Sequence, residues 1–222
     1  MTTTLDTTAG AAVYSRFILK LYDFWVLGVS NTLAWQCPTR TVLLPFFTEH
    51  ASNRHLDVGV GTGFYPTNTT FRDNAKLTLL DLNTDSLNAA SDRIGRSGTT
   101  SIQADILNPS VQLPAQSWDS ISLFYLLHCL PGTMEDKAAA FHCLKTALST
   151  DGILYGATIL GDQANHNSFG RTLMNVYNKK GIFGNRNDTA ENLEEALKKH
   201  FGSVHVRTHG TVALFTARAP LL

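Results

Sequence analysis

The chain has 222 residues, which is enough for one α/β domain with a single sizeable core. Lys plus Arg number 18 and Asp plus Glu number 18, and this balance argues against the basic surface that binds nucleic acid. No apolar run reaches the roughly 18 residues that a membrane span needs, and the first residues do not read as a signal peptide. Cys37, Cys129 and Cys143 have no metal-binding spacing, so we expect a cytoplasmic protein without a metal centre, a membrane or a nucleic-acid partner.

The first fifty residues are rich in aromatic side chains at helical spacing. They predict an amphipathic helix from Ala11 to about Leu27, a turn at Gly28–Asn31, and a helix that Thr39 caps and that runs through Phe47. A segment this apolar is not a disordered tail. We therefore expect residues 1–50 to form a helical cap over the ligand site of a single domain spanning residues 51–222.

Beyond residue 50, strands and helices alternate. Apolar runs predict strands at residues 54–60, 76–82, 100–104, 117–125 and 153–160. Helices are predicted between them, one starting at Asn83 or Thr84 and another covering residues 134–148, and this rhythm implies a doubly wound, mostly parallel sheet. Asp151-Gly152 predicts a turn, and residues 188–191 predict a capping box for a late helix. Two final strands, 203–209 and 211–217, are separated by Gly210 alone, so one of them must run antiparallel.

The segment from Asp57 to Gly63 reads Asp-Val-Gly-Val-Gly-Thr-Gly and follows the first predicted strand. Glycines at 59, 61 and 63 let the backbone approach a ligand closely, because no Cβ intervenes. Asp81 ends the next predicted strand, where a carboxylate can accept both hydroxyl hydrogens of a ribose. The dinucleotide fingerprint needs a glycine at position 64, which is Phe here, and this argues against a nicotinamide-dependent oxidoreductase.

This pattern resembles motif I of class I S-adenosylmethionine (SAM) methyltransferases, and the likeness extends over Leu56–Ala217. The resemblance implies a Rossmann-like methyltransferase fold: a seven-stranded, mostly parallel sheet with an antiparallel last strand. It also implies a cofactor site with distinct parts. Asp57 would bind the amino group, Asp81 the ribose and Leu82 the adenine, with Gly59, Gly61 and Gly63 in the loop; Asp105, Ile106, Phe124 and Tyr125 match later segments of the site.

Further candidates come from position along the chain. His128 follows the fourth strand, at the edge where α/β sheets bind ligands, and is predicted as a general base; the alternative is a packing histidine. Tyr14 and Tyr22 are candidate cofactor contacts, because aromatic faces attract a sulfonium. Candidate substrate contacts are Trp25, His166, Asn167 and Tyr177. Cys129 beside His128 is not expected to act as a nucleophile.

The predicted function is SAM-dependent, metal-independent methyl transfer to a small, fairly apolar acceptor, with the methylated atom open among O, N, S and C. Metal independence is expected because the chain has no clear Asp plus Asp-Asn set of magnesium ligands of the catechol-methyltransferase type. One alternative is a cyclase or isomerase that uses bound SAM as a fixed charge. Another is a non-catalytic, SAM-binding regulatory protein. Whether the chain forms a homodimer is left open.

Overall fold

Seven strands form one sheet within residues 23–221, the part of the chain that this computed structural model describes. The strands are β1 Arg54–Val58, β2 Lys76–Asp81, β3 Thr100–Gln103, β4 Trp118–Phe124, β5 Leu148–Ile159, β6 Phe201–His209 and β7 Val212–Pro220. Their order across the sheet is β3-β2-β1-β4-β5-β7-β6. Neighbours are parallel from β3 to β5, whereas β7 runs antiparallel to both β5 and β6. The predicted sheet with an antiparallel last strand is confirmed.

The strand order reverses between β1 and β4, which lie side by side at the centre of the sheet. In open α/β sheets, ligands bind outside the carboxyl ends of the strands at such a switch point. The order therefore places the glycine segment after β1 where a ligand site is expected.

Helices cover both faces of the sheet. They are α1 Leu44–His50, α2 Phe64–Thr67, α3 Thr84–Ile94, α4 Met134–Ala147, α5 Ser168–Lys179 and α6 Ala190–Lys198. Phe141 of α4 and Leu197 of α6 pack on one face, and Phe47 of α1 and Leu173 of α5 pack on the other. Because α1 belongs to this second core, residues near 44–50 are joined to the sheet rather than set apart from it.

The N-terminal segment differs from its prediction. Most of the predicted helix from Ala11 lies outside the described residues. Asp23–Ala34 form a π-helix that continues through the predicted turn at Gly28–Asn31, so that turn is wrong. The backbone N–H of Trp35 donates to the carbonyl of Ser30 over 2.9 Å, the five-residue spacing of this helix type.

Thr39 does not cap a helix through its side chain. A short π-helix, Thr39–Leu43, leads directly into α1, and its N-cap residue is Pro38, which makes no side-chain bond. The Thr39 hydroxyl instead donates to the carbonyl of Leu27 over 2.5 Å and accepts from Asn31 Nδ2 over 2.8 Å. The predicted cap is wrong because this buried hydroxyl joins the two N-terminal helices to each other.

Two predicted boundaries also shift. The capping box of α6 consists of Thr189 and Asn192, one residue later than predicted, because Asp188 is buried in an ion pair. The strand β5 begins at Leu148 and continues through the predicted turn at Asp151-Gly152. Its register with β4 is irregular there, which accommodates the turn-forming residues inside the strand.

Candidate active site

A cavity opens at the carboxyl ends of β1, β2 and β4. The sequence-predicted residues that line it are Asp57, Gly59, Gly61, Asp81, Leu82, Asp105, Ile106, Phe124 and Tyr125. Other lining residues, which sequence reasoning did not select as ligand contacts, include Leu27, Thr62, Tyr65, Ser86, Ala104, Leu126, Cys129 and Leu130. The structure thus brings together acids from two neighbouring strand ends, a glycine loop and an apolar wall.

The glycine loop needs its glycines for two different reasons. Gly59 has φ +74°, and a Cβ there would lie 2.9 Å from Leu126 Cδ1, whereas Gly61 has φ +51° and a Cβ there would have no neighbour within 4 Å. Both therefore present bare backbone to the cavity. Gly63 does not line the cavity: its Cβ would lie 2.9 Å from the backbone of Ala90 in α3. Because Gly63 has no side chain, the loop can approach that helix closely.

Asp81 ends β2 with its carboxylate at the cavity wall. Burial raises the pKa of Asp81, and hydrogen bonds from backbone N–H groups oppose that rise. One of these bonds runs from Asn83 N to Oδ1 over 2.9 Å. A carboxylate fixed in this way keeps acceptor capacity for further donors, and two adjacent ribose hydroxyls would supply them.

Asp57 lies beside it on β1 and is almost fully buried. Burial raises the pKa of Asp57 to about 7, the Ser122 hydroxyl lowers it, and the nearby Asp81 charge raises it further. Ser122 Oγ lies 2.5 Å from Oδ1. A buried acid of this kind gains free energy from a cationic partner in the cavity, and an ammonium group fits that requirement.

The far end of the cavity is formed by Leu82, Ala104 and Ile106 together with Asp105. Asp105 Oδ1 accepts a hydrogen bond from Leu107 N over 3.0 Å, so the loop fixes the carboxylate. Apolar walls with one fixed acceptor suit a flat heteroaromatic ring that carries an amino group. The residues present therefore fit the adenosine part of SAM.

Tyr125 has φ +62°, an uncommon conformation for a bulky residue. Its backbone N–H donates to Ala157 O over 2.8 Å, which continues the β4–β5 pairing past the end of β4. The left-handed backbone then turns the chain into the 3₁₀ turn Leu127–Cys129. Strained conformations of this kind occur at ligand sites, where surrounding contacts hold them in place.

His128 lies behind the cavity rather than on its wall, and it is buried. Its Nδ1 accepts a hydrogen bond from Ile159 N over 3.3 Å and lies 3.3 Å from Thr158 Oγ1. Burial lowers the pKa of His128 to about 3, and the Lys137 charge contributes. The ring is therefore neutral with its proton on Nε2, and it packs edge-on against the ring of Phe183.

The predicted substrate contacts bind the N-terminal segment to the rest of the protein. Trp25 Nε1 donates to Tyr177 Oη over 3.0 Å. Asn167 accepts from Gly170 N as the N-cap of α5 and donates to Leu33 O over 2.7 Å. His166 Nε2 donates to Gly161 O over 2.9 Å, and its ring packs edge-on against that of Trp35 at 5.8 Å. These contacts fix the segment beside the cavity, although none of the four residues lines it; Tyr14 and Tyr22 lie outside the described residues.

Cys129 lines the cavity, but burial raises the pKa of its thiol to about 12. A protonated thiol is a poor nucleophile, in line with the expectation from the sequence. Among residues 23–221, no three His, Cys, Asp or Glu side chains are grouped so that they could hold a metal ion. In the same part of the chain, no helix combines the length and apolarity needed to cross a membrane.

Comparisons with known proteins find several similar chains. A family model described as a methyltransferase domain matches residues 56–156. The chain is 50% identical to the protein YbcY of Escherichia coli (strain K12), over 86% of this chain and 98% of that protein. It is 40% identical to the physcion biosynthesis cluster O-methyltransferase of Aspergillus chevalieri, over 97% of each chain. A solved structure described as the DhpI–SAH complex has a TM-score of 0.67 at 17% identity and covers 98% of each chain.

Proposed function

The chain belongs to the methyltransferase-domain family, and we propose that it transfers a methyl group from SAM to a hydroxyl oxygen of a small, fairly apolar organic acceptor. SAM, when bound, supplies a methyl group activated by a sulfonium. The observation that carries the proposal is the pair of carboxylates at neighbouring strand ends, the buried Asp57 and the half-buried Asp81, beside bare glycine backbone. The O-methyltransferase named among the relatives supports oxygen as the methylated atom.

The protein's own residues bind and orient the cofactor. Asp81 would accept the ribose hydroxyls, and Asp57 would face the amino group. Asp105, beside Leu82 and Ile106, would accept from the adenine amino group. Each of these contacts holds the methyl group in line with the acceptor, and such alignment is a large part of the rate gain in a displacement reaction.

The acceptor side of the cavity is apolar. Leu27, Phe124, Tyr125, Cys129 and Leu130 line it. A wall of this composition excludes water and favours an uncharged acceptor. Leu27 belongs to the N-terminal π-helix, which supports the proposal that residues 1–50 form a cap over the site.

Deprotonation of a hydroxyl acceptor calls for a base or for an acceptor that is already acidic, such as a phenol. His128 does not fit the role of that base, because its Nδ1 accepts from Ile159 N and its Nε2 carries the ring proton. We therefore propose an acceptor that is itself acidic, such as a phenol. The reaction is proposed to be metal-independent, and activity should therefore be unchanged by a chelator.

The experiment is turnover with SAM that carries an isotope-labelled methyl group, offered with panels of phenols, alcohols, amines and thiols. Labelled product from a phenol or alcohol, together with S-adenosylhomocysteine (SAH), supports the proposal. Asp81→Asn should lower turnover sharply at limiting SAM, whereas Asp119→Asn, an exposed acid paired with Arg54 at the opposite edge of the sheet, should not. Labelled amines or thiols alone would overturn the choice of oxygen.

The two alternatives predict different products. A cyclase or isomerase would convert its substrate without releasing SAH, and a regulatory protein would bind SAM without converting any substrate. Light scattering of the purified protein would show whether it forms a homodimer.

A further inference from the structure

A row of polar side chains crosses the buried interior of the sheet behind Asp57. His55 and Asp57 are two apart on β1, and Ser120 and Ser122 are two apart on β4, so each pair points to one face. The register places His55 opposite Ser120 and Asp57 opposite Ser122. Ser52, which is half-buried, extends the row to the amino-terminal edge of the sheet.

Every adjacent pair in this row is within hydrogen-bonding distance. Ser52 Oγ lies 2.8 Å from Ser120 Oγ, which lies 2.8 Å from His55 Nδ1. His55 Nε2 lies 3.1 Å from Ser122 Oγ, which lies 2.5 Å from Asp57 Oδ1. The row thus connects the wall of the cofactor cavity to the opposite edge of the sheet without a break.

The hydrogen bonds along the row can run in either of two opposite donor-to-acceptor directions. When Asp57 is ionised it only accepts, so Ser122 donates to it, His55 donates from Nε2 to Ser122, and Ser120 donates to Nδ1. When Asp57 is protonated, each donor reverses: Asp57 donates to Ser122, which donates to Nε2, and His55 donates from Nδ1 to Ser120. In this second direction, the Ser52 hydroxyl at the end of the row can donate to a backbone carbonyl that lies 3.1 Å away.

The surroundings isolate the middle of the row from water. The rings of Phe47, Phe71 and Tyr155 lie 5.3, 5.8 and 6.2 Å from the His55 ring. Both His55 and Ser120 are almost completely buried. A buried polar row costs free energy unless each member is bonded, and apolar side chains would fill the same space without that requirement.

The groups that face Asp57 come from β2, β4 and β5. They are Asp81 at the end of β2, Ser122 on β4 and Tyr155 on β5. Burial and the Asp57 charge raise the pKa of Tyr155 well above its ordinary value, so this phenol stays neutral. Burial lowers the pKa of His55 to about 3, so its ring is neutral and carries one proton that can occupy either nitrogen.

We propose that Ser52, Ser120, His55 and Ser122 form a reversible proton relay that sets the charge of Asp57, so that binding of the cofactor's ammonium group expels a proton through the sheet. The inference rests on the proposed cofactor site. In the step, the Asp57 proton passes to Ser122 Oγ, whose proton passes to His55 Nε2. The Nδ1 proton passes to Ser120, the Ser120 proton to Ser52, and the Ser52 proton to water. Asp57 is left as a carboxylate and His55 has changed tautomer.

The relay makes His55 and Ser122 positioning residues for the cofactor's amino group. The test compares calorimetric binding of SAH with that of methylthioadenosine, which keeps adenosine and lacks the amino and carboxylate groups. In the wild type, SAH affinity should rise about tenfold per pH unit up to the pKa of Asp57, near 7, because only the carboxylate pairs with the ammonium. Methylthioadenosine affinity should not follow pH in this range.

Ser122→Ala removes the donor to Asp57 and should weaken SAH binding about tenfold or more at neutral pH, with the break in its pH profile moved upward. Methylthioadenosine should bind as it does to the wild type. Thr78→Val is the matched control: it removes a buried strand hydroxyl that bonds Thr100 and Trp118 and has no link to Asp57. Parallel losses for both ligands in Ser122→Ala, or no loss for either, would overturn the proposal.

The tautomer of His55 gives a readout that does not depend on affinity. In nitrogen-15 spectra, the His55 signal, assigned with His55→Gln, should show Nδ1–H without ligand below pH 7 and Nε2–H with SAH. One unchanging tautomer would overturn the relay. Failure of the wild type to bind SAH at all would instead contradict the proposed function, so the two failures are distinguishable.

Discussion

The buried ion pair between Lys137 and Asp188 offers the sharpest test of how the cavity wall is supported. Lys137 Nζ donates to Asp188 Oδ2 over 2.6 Å and to Gly184 O over 2.9 Å, and both charged side chains are almost fully buried. Gly184 N in turn donates to His128 O, in the 3₁₀ turn that carries Cys129 to the cavity. Burial lowers the pKa of Lys137 and raises that of Asp188, against their mutual attraction.

Removal of either partner should cost about 3–5 kcal/mol, because the other charge is left buried without its counter-ion. Lys137→Met and Asp188→Leu are therefore each expected to lose a large share of a total stability of roughly 5–15 kcal/mol. The double variant should lie within about 2 kcal/mol of the wild type, because a buried pair as a whole is close to neutral against apolar replacements. The coupling between the two sites should thus be several kcal/mol.

Guanidinium unfolding followed by tryptophan fluorescence measures all four corners of this cycle. Single variants that lose less than about 1 kcal/mol of stability would refute the reasoning, because a charge that is left buried and unpaired destabilises the fold by more than that. A double variant as unstable as the sum of the singles would refute it equally, because it would show that the two sites are independent.

Three further predictions concern single side chains. Gly61→Ala should lose about 1 kcal/mol of stability, because φ +51° disfavours a side chain, and its methyl group should weaken SAH binding in calorimetry; unchanged affinity would contradict the loop's placement. His128→Gln should leave kcat within about tenfold of the wild type, because neither ring nitrogen is free to take the acceptor's proton; a fall in kcat of about 10²-fold or more at unchanged SAH affinity would contradict this. Cys37, which is buried and whose pKa burial raises to about 12, should react with a thiol reagent only after unfolding, and immediate reaction of the native protein would contradict its burial.

Much of the fold could be predicted from the sequence because its signals are local. The apolar run that ends at Asp81 reads as a buried strand followed by a carboxylate. The single residue Gly210 between two predicted strands is too short a connection for anything except a tight hairpin. The glycines after Asp57 indicate a close backbone approach at a strand end. For such elements, neighbouring residues determine the structure, and the structure agrees with the prediction.

The remainder depends on contacts between distant residues. Asp188 looks like a helix cap in sequence, but its partner, Lys137, is 51 positions away. His55 and Ser122 look like ordinary strand residues until the register of β1 and β4 is known. The alternation His55-x-Asp57 is the signal that the sequence offers, since two polar side chains on one face of a central strand are unusual. Thr39 likewise looks like a helix cap in the sequence, but its hydroxyl bonds to Leu27, which belongs to another helix.

The most direct test of the central claim is calorimetric titration with SAH of the wild type, Asp81→Asn and the control Asp119→Asn. The account predicts micromolar binding to the wild type and the control, and a loss of about 1.5–3 kcal/mol in Asp81→Asn, the value of hydrogen bonds to a charged group. Equal binding by Asp81→Asn, or binding of NAD in place of SAH, would contradict the assignment of this cavity as the SAM site.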